Sequence, residues 1–595
     1  MTSLWSRLSP VPAFPEYTGP YKVGTVDVEI PVSELDAPSP APDCAASIHT
    51  ILFRVFYPAV TESDGGPITW LPAPQRLHVS AYTQFLGVGP MAASVLSLLP
   101  RHLHYTYIRV HKNAHLLPPE TPNGRWPTMI FSHGLGGTRN AYSHLAGSLA
   151  SHGLVVVCPE HRDGSSVVSL VRDPANQHRF FIRATRRVIP YRRVAHVQTP
   201  DVWAARDDQL RIRLWELGLS LDAVLRIAGG DAQIPRANMN KTTTGTALSQ
   251  FAERLDVQEP GKIIWAGHSF GAASIVQLLK STYYAGTPEL QTMTEPLFTP
   301  QIGCNLHRQI TARSATMLLD MWCFPLLSAA TDVLFKLALP QYADIPSAPG
   351  GNALLAVQSG DFFKWKENLH VMARVLSPEP SERVVEPTAF ERPDTGIKLS
   401  EPNFFYVENS AHLNQSDFGI LFPWLTKRVF GAQEPERVLR LNLRAQLQFL
   451  RSRGVPVART WIGDLVEDAH VGKGGLGSMS AAGIKGLDDG VDEDPAIFDR
   501  GGNGRVQTWH AIDMMGMGGE SAATEMEVRD RAQRPGSSVD KEHDGREDFL
   551  DVDEQQLSGD GEDGEREMQC ELEPSLGNMK AAGSPTVPAV ASAVA

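Results

Sequence analysis

Cysteine is scarce in this chain: five residues among 595, Cys44, Cys158, Cys304, Cys323 and Cys570. They are scattered and odd in number, with no Cys-X-X-Cys pair, which argues against a disulfide framework or a structural zinc site. His102, His104, His111 and His115 lie near one another, but no cysteine or carboxylate pattern completes a metal site around them, so no metal is expected. Long apolar runs are missing as well. The most apolar region, residues 315–339, is interrupted by Asp320, Asp332 and Lys336, so no transmembrane helix is expected. Met1-Thr2-Ser3-Leu4-Trp5 lacks the basic-then-apolar start of a secretory signal, and Thr2 stands where N-myristoylation needs glycine. Excess positive charge is absent too. Of the net charge of -13, residues 521–595 account for about -11, with 18 acidic against 7 basic side chains, so the rest of the chain is close to neutral. A nucleic-acid partner therefore gets no support. The expectation is a cytoplasmic protein that meets membranes, if at all, from the side.

What is present is a rhythm of short apolar strands and helices. Tyr21 to Val32 alternates apolar and polar residues, and Ile48 to Tyr57 reads as its hairpin partner. Residues 75–100 offer a broad apolar helical surface. Thr128–Phe131 is a short strand, Asn140–His152 a helix with Gly153 at its C-terminal cap, and Leu154–Cys158 a fully apolar strand. Strand, helix and strand with buried apolar strands indicate an α/β protein with a mostly parallel sheet covered by helices on both faces. Residues 165–200 break the rhythm with a basic stretch from Arg172 to Arg193, and a long helix follows at 207–227. Further strands are expected at 315–319, 353–357 and 403–407, a helical stretch near 329–339 and a helix at 435–451. Beyond residue 470 the pattern dissolves. The expected organisation is a catalytic domain over 1–470, then a linker and a largely disordered acidic tail over 471–595, with Trp509-His510-Ala511 as an apolar island that docks back.

The chemistry centres on Gly267-His268-Ser269-Phe270-Gly271, set between the apolar strand at 262–266 and the helix from Ala273. A serine on so sharp a strand-to-helix turn has its hydroxyl pushed out at the sheet edge. That hydroxyl is a weak nucleophile. It needs a base to take its proton, an acid to orient the base, and donors for the oxyanion. With the chain order Ser, Asp/Glu, His, the base belongs on a loop after the last strand, and His412 is the only histidine between His370 and His470. Two aspartates compete as the acid: Asp320, one strand after the serine, and Asp361, one strand later still. Common hydrolases of this order take the later position, which slightly favours Asp361. The oxyanion donors are expected from Phe270 N–H and, in the glycine-rich run Ser132-His133-Gly134-Leu135-Gly136-Gly137, from Leu135 N–H.

Six segments taken together resemble the platelet-activating factor acetylhydrolase family: Phe131–Gly136, Leu149–Gly153, Glu160–Asp163, Gly267–Ala272, Leu319–Leu326 and Ser410–Phe418. They occur in family order and span roughly residues 15–455, and the architecture and the Pro/Ala-rich loops look more like the fungal branch. The resemblance implies an α/β-hydrolase fold and places the acid at Asp320. It also implies calcium-independent hydrolysis of a short (acetyl) or oxidised sn-2 acyl ester of a glycerophospholipid through an acyl-enzyme on Ser269, with no metal or organic cofactor. A general carboxylesterase or lipase of the same fold, and a catalytically idle scaffold, are the alternatives. The stretches at 165–200 and 229–247 look longer than the animal enzymes require, and the acidic tail has no counterpart there.

Overall fold

The computed structural model describes residues 11–60, 66–98, 101–176, 186–243, 245–392, 396–467, 494–500 and 506–518. Most of the acidic tail, and Arg179 and Arg183 of the basic stretch, lie outside these residues.

The chain opens with an antiparallel pair, β1 (Lys22–Pro31) and β2 (Thr50–Ala59), in which Val26 faces Val55 and Val28 faces Phe53. Two short helices follow, α1 (Gln75–Phe85) and α2 (Pro90–Leu96), then β3 (Trp126–Ser132), α3 (Ser143–Ser151) and β4 (Val155–Pro159). A hairpin of β5 (Val168–Arg172) and β6 (Arg186–Pro190) precedes the long α4 (Pro200–Ala228). Next come β7 (Ile264–His268), α5 (Phe270–Tyr283), β8 (Thr316–Leu319) and β9 (Leu354–Ser359). Finally α6 (Gly360–Lys364), α7 (Lys366–Leu376), β10 (Asn403–Val407), α8 (Pro435–Ser452) and β11 (Trp509–Ala511) complete the fold.

The main sheet runs β11-β10-β9-β8-β7-β3-β4-β2-β1 and ends on the short strand His111–Lys112. From β4 to β10 every neighbouring pair is parallel, and β1/β2, β2/β4 and β10/β11 are antiparallel. A sheet in this order, parallel except for β2 and the outermost β11 and with helices around it, is the α/β-hydrolase fold. Because side chains alternate along a strand, each strand feeds two cores. Ile130, Val155, Val157 and Trp265 join the core under α4 and α5. Met129, Phe131, Val156, Ile264 and Ala266 join the one under α3 and α8.

The structure departs from the sequence reading at four places. The single helix expected over 75–100 is two, because Gly87 turns the chain at φ +90° and Pro90 then starts a new helix at its first turn. The irregular 165–200 region contains the β5/β6 hairpin. The long helix begins seven residues early, at Pro200, with proline again at the first turn, where its missing N–H costs nothing. The helical stretch near 329–339 shrinks to Asp332–Phe335. Within the segment read as linker, Trp509-His510-Ala511 pairs with Val407-Tyr406-Phe405 and Trp509 Nε1 donates to Ile497 O at 2.8 Å. Among the described residues, no helix is long and apolar enough to cross a membrane.

Candidate active site

Ser269 sits between β7 and α5 with φ +55° and ψ −122°, angles that side chains ordinarily avoid and that cost of order 1–3 kcal/mol. The turn closes this sharply only because its neighbours are glycines. A methyl group at Gly271 would lie 2.0 Å from Ser132 O, and one at Gly267 would lie 2.5 Å from the Gly271 carbonyl carbon. Ser269 N–H donates to Leu319 O at 2.9 Å, tying the turn to the end of β8.

The next residue of that strand end is Asp320, also at positive φ (+40°) and fully buried. Its Oδ2 lies 3.0 Å from His412 Nδ1, and its Oδ1 accepts a short hydrogen bond from Ser359 N–H. Both carboxylate oxygens are thereby engaged, one of them holding the imidazole at Nδ1. His412 keeps 30 % of its side chain exposed, stacks on Phe362 at 4.3 Å and lies 4.3 Å from the ring of His268, the residue before Ser269. Asp361, the rival acid, sits one strand further on in the first turn of α6, where its N–H donates to Ser410 O at 3.2 Å. Of the two aspartates, Asp320 is the one whose carboxylate lies within hydrogen-bond reach of His412 Nδ1.

The glycine-rich loop after β3 lies against the serine. A methyl group at Gly134 would stand 2.9 Å from Ser269 Cβ. Within that loop Gly134 N–H donates to Tyr142 Oη, Gly136 N–H to Ser165 O and Gly137 N–H to Gly134 O. Leu135 N–H and Phe270 N–H donate to no acceptor among the described residues. Two unengaged amides flanking a serine suit a developing oxyanion.

A second Ser-His-carboxylate set lies directly behind. Ser132 Oγ is 2.9 Å from His161 Nε2, and His161 Nδ1 is 3.0 Å from Glu216 Oε2. The hydrogen-bond pattern matches a catalytic set, but burial decides against it: Ser132 and His161 are fully enclosed. Burial, reinforced by Arg213, holds the His161 imidazolium far below the usual histidine range, and burial pushes the Glu216 carboxyl up to about 8. A base that cannot take a proton does not activate a serine.

Sequence reasoning missed the groups that support the site. Tyr142 Oη lies 2.7 Å from His268 Nδ1, and burial followed by the nearby His412 keeps His268 neutral. Arg213, Asp163 and Glu216 form the floor under the loop. Glu160-His161-Arg162-Asp163 was visible as a motif, but nothing in it points to partners on a helix fifty residues on. Among the described residues one group of ligand-type side chains comes close enough to share an ion: His268, Asp320 and His412, within 4.8 Å of one another. Both Asp320 oxygens and His268 Nδ1 already have partners there.

The family model described as platelet-activating factor acetylhydrolase, isoform II, matches residues 8–456. The chain belongs to this family. It is 26 % identical over 455 residues to a Schizosaccharomyces pombe protein named "Putative phospholipase A2", covering 74 % of this chain and 92 % of that one. It is 28 % identical over 265 residues to the platelet-activating factor acetylhydrolase of Cavia porcellus, covering 44 % of this chain and 52 % of the relative, so it spans about half of that protein. Among solved structures, a ferulic acid esterase from Streptomyces cinnamoneus overlays with a TM-score of 0.42 at 15 % identity, over 74 % of this chain and 92 % of that one. Membership of the platelet-activating factor acetylhydrolase family and the hydrolase fold make this chain a carboxylic ester hydrolase.

Proposed function

We propose that the protein hydrolyses the short (acetyl) or oxidised sn-2 acyl ester of glycerophospholipids such as platelet-activating factor, through an acyl-enzyme on Ser269 and without calcium. The observation that carries this reading is the Asp320–His412 pair held beside a serine at a strained strand-to-helix turn. His412 Nε2 takes the Ser269 proton as Oγ attacks the ester carbonyl, and Asp320 stabilises the imidazolium that forms. Leu135 and Phe270 N–H groups receive the oxyanion. Collapse of the tetrahedral adduct breaks the bond to the lyso-phospholipid oxygen, which leaves with the proton from His412. Water, deprotonated by His412, then releases the fatty acid and restores Ser269. Every step uses charge already on this chain, so no cofactor enters.

Exposed Met91, Val95, Leu96 and Leu98 on and just beyond α2 suit transient contact with the surface in which the substrate resides. Residues 1–470 with the β11 strand form the catalytic unit in this reading, and the acidic tail is not needed for chemistry.

The test is turnover in EDTA of 1-alkyl-2-acetyl and 2-palmitoyl phosphatidylcholine by the purified protein, with Ser269→Ala as control. The acetyl ester is hydrolysed faster, and Ser269→Ala abolishes both activities. Equal or faster release of palmitate replaces the acetylhydrolase reading with that of a general lipase; undiminished activity in Ser269→Ala ends the serine mechanism.

A further inference from the structure

The two amides read above as oxyanion donors belong to different segments, the glycine-rich loop after β3 and the first turn of α5. Leu135 lies in a loop whose glycines leave it few side chains of its own, and Phe270 begins α5. Catalysis of this type demands that such donors be fixed before reaction, and a misplacement of about 1 Å costs about 100-fold in rate. The question is what fixes them.

The His133–Gly134 peptide, one residue before Leu135, is gripped at both of its polar ends. Its carbonyl accepts from Arg213 Nη1 at 2.8 Å, and its N–H donates to Tyr142 Oη at 3.1 Å. Arg213 comes from the middle of α4, fully buried, with Nε on Asp163 Oδ2 at 2.7 Å and Nη2 on Ser165 Oγ at 2.6 Å. Its guanidinium carbon lies 4.3 Å from the centre of the Phe270 ring, so the same cation also supports the residue bearing the second donor. Tyr142, at the foot of α3, reaches the other way to His268 Nδ1 at 2.7 Å, beside Ser269. It therefore ties the glycine-rich loop to the nucleophile turn. Helix α3 is itself pinned to the His412 loop, because Asp417 accepts from Ser143 N–H and His144 N–H at 2.9 Å each.

We propose that Arg213 and Tyr142 are positioning residues that clamp the His133–Gly134 peptide, and through it set Leu135 N–H relative to Phe270 N–H and Ser269. Arg213 exploits properties that lysine lacks: a planar fork serves Asp163, Ser165 and the peptide carbonyl at once while stacking on an aromatic face. A residue serving only stability would not need to contact both donor segments.

The inference rests on the oxyanion reading of Leu135 and Phe270, and the experiment separates the two. Steady-state kcat and KM toward p-nitrophenyl acetate are measured for the wild type, Tyr142→Phe, Arg213→Lys, Arg213→Met and the Tyr142→Phe/Arg213→Lys double variant, with Ser269→Ala as reference and circular dichroism as a folding check. Tyr142→Phe keeps the ring and loses only the hydroxyl, so it is the variant least apt to unfold. The expected result is kcat lowered about 10–100-fold with KM within about twofold. Arg213→Met loses at least as much, and Arg213→Lys recovers part of it. Because both residues act on one peptide plane, the double variant loses much less than the product of the single losses. A folded Tyr142→Phe enzyme with unchanged kcat, a loss confined to KM, or multiplicative losses in the double variant would overturn the clamp. If Arg213→Met does not fold, Tyr142→Phe and Arg213→Lys decide the matter. Wild-type turnover that survives in Ser269→Ala would instead sink the underlying mechanism.

Discussion

Among the described residues seven non-glycine residues take positive φ, and two of them, Ser269 at +55° and Asp320 at +40°, each stand immediately after a parallel strand. Strain of this kind persists only where surrounding contacts over-determine it. Here Ser269 N–H is bonded to Leu319 O and Asp320 N–H to Val357 O, so each turn hangs on the next strand. Asp320→Asn keeps the shape but favours the wrong imidazole tautomer, and is expected to lower kcat by about 10³–10⁴-fold. Asp361→Asn, altered only at a helix start, is expected to stay within a few-fold, and the reverse order of losses would return the acid role to Asp361. Gly271→Ala places a methyl group 2.0 Å from a main-chain oxygen that cannot swing away. Loss of soluble protein or of a few kcal/mol in urea unfolding is the expected outcome. Since His268 is held neutral by its burial and by His412, the acid limb of the kcat/KM profile should report one protonation only. The rate should fall as pH drops, and a limb steeper than a single proton would show that His268 titrates with it.

At the scale of elements, what could be read early was whatever local pattern dictates. The apolar run at Leu154–Cys158 could only be a buried strand, Asn403–Val407 emerges with the bounds expected, and Gly153 takes φ +98° after α3 as a C-terminal cap should. The glycine-flanked serine and the lone histidine of the last loop were equally legible, because both depend on chain order. What was hidden depends on partners distant in sequence. Arg213 and Glu216 look like two charges on a helix until β3 and β4 bring the loops at 133 and 161 down onto them. Likewise Trp509-His510-Ala511, too short to be read as a strand with assurance, becomes one because β10 presents an open edge. That edge is a liability if uncovered. Phe405 stacks on both Phe498 and Trp509, at 5.7 and 5.2 Å. A chain ended after residue 518 should therefore retain wild-type melting and activity, and one ended after residue 493 should melt lower and self-associate in light scattering. Trp509→Ala should cost about 3 kcal/mol. Unchanged stability of the shorter chain would mean that β10 needs no cover.

Across the whole molecule, the network behind the catalytic loop joins the antiparallel β1/β2 pair to the parallel sheet. Asp27 of β1 pairs with Arg54 of β2 at 2.6 Å and with Arg139 at 3.3 Å, and Arg139 also meets Glu160 at the end of β4. Burial alone would raise the Asp27 carboxyl; the two arginines outweigh it and hold the group well below the usual carboxylate range. A folded-state value below the unfolded one contributes stability that is present above about pH 4 and is lost as pH falls further. Wild-type melting temperature should accordingly fall more steeply between about pH 5 and 3 than that of Asp27→Asn, which starts lower; parallel curves would remove this pair from the acid response. The same architecture offers two serines within hydrogen-bonding reach of a histidine-carboxylate system or poised beside one, Ser269 just past the C-terminal end of β7 and Ser132 enclosed at the end of β3. Which serine carries the acyl group is read directly by peptide mass spectrometry of protein acid-quenched during turnover of the 2-acetyl phospholipid. One acetyl group is expected on the peptide carrying Ser269, as an acyl-enzyme at that residue requires. Acetylation of Ser132, or full turnover with Ser269 unmodified under conditions that trap an acyl-enzyme, would contradict it.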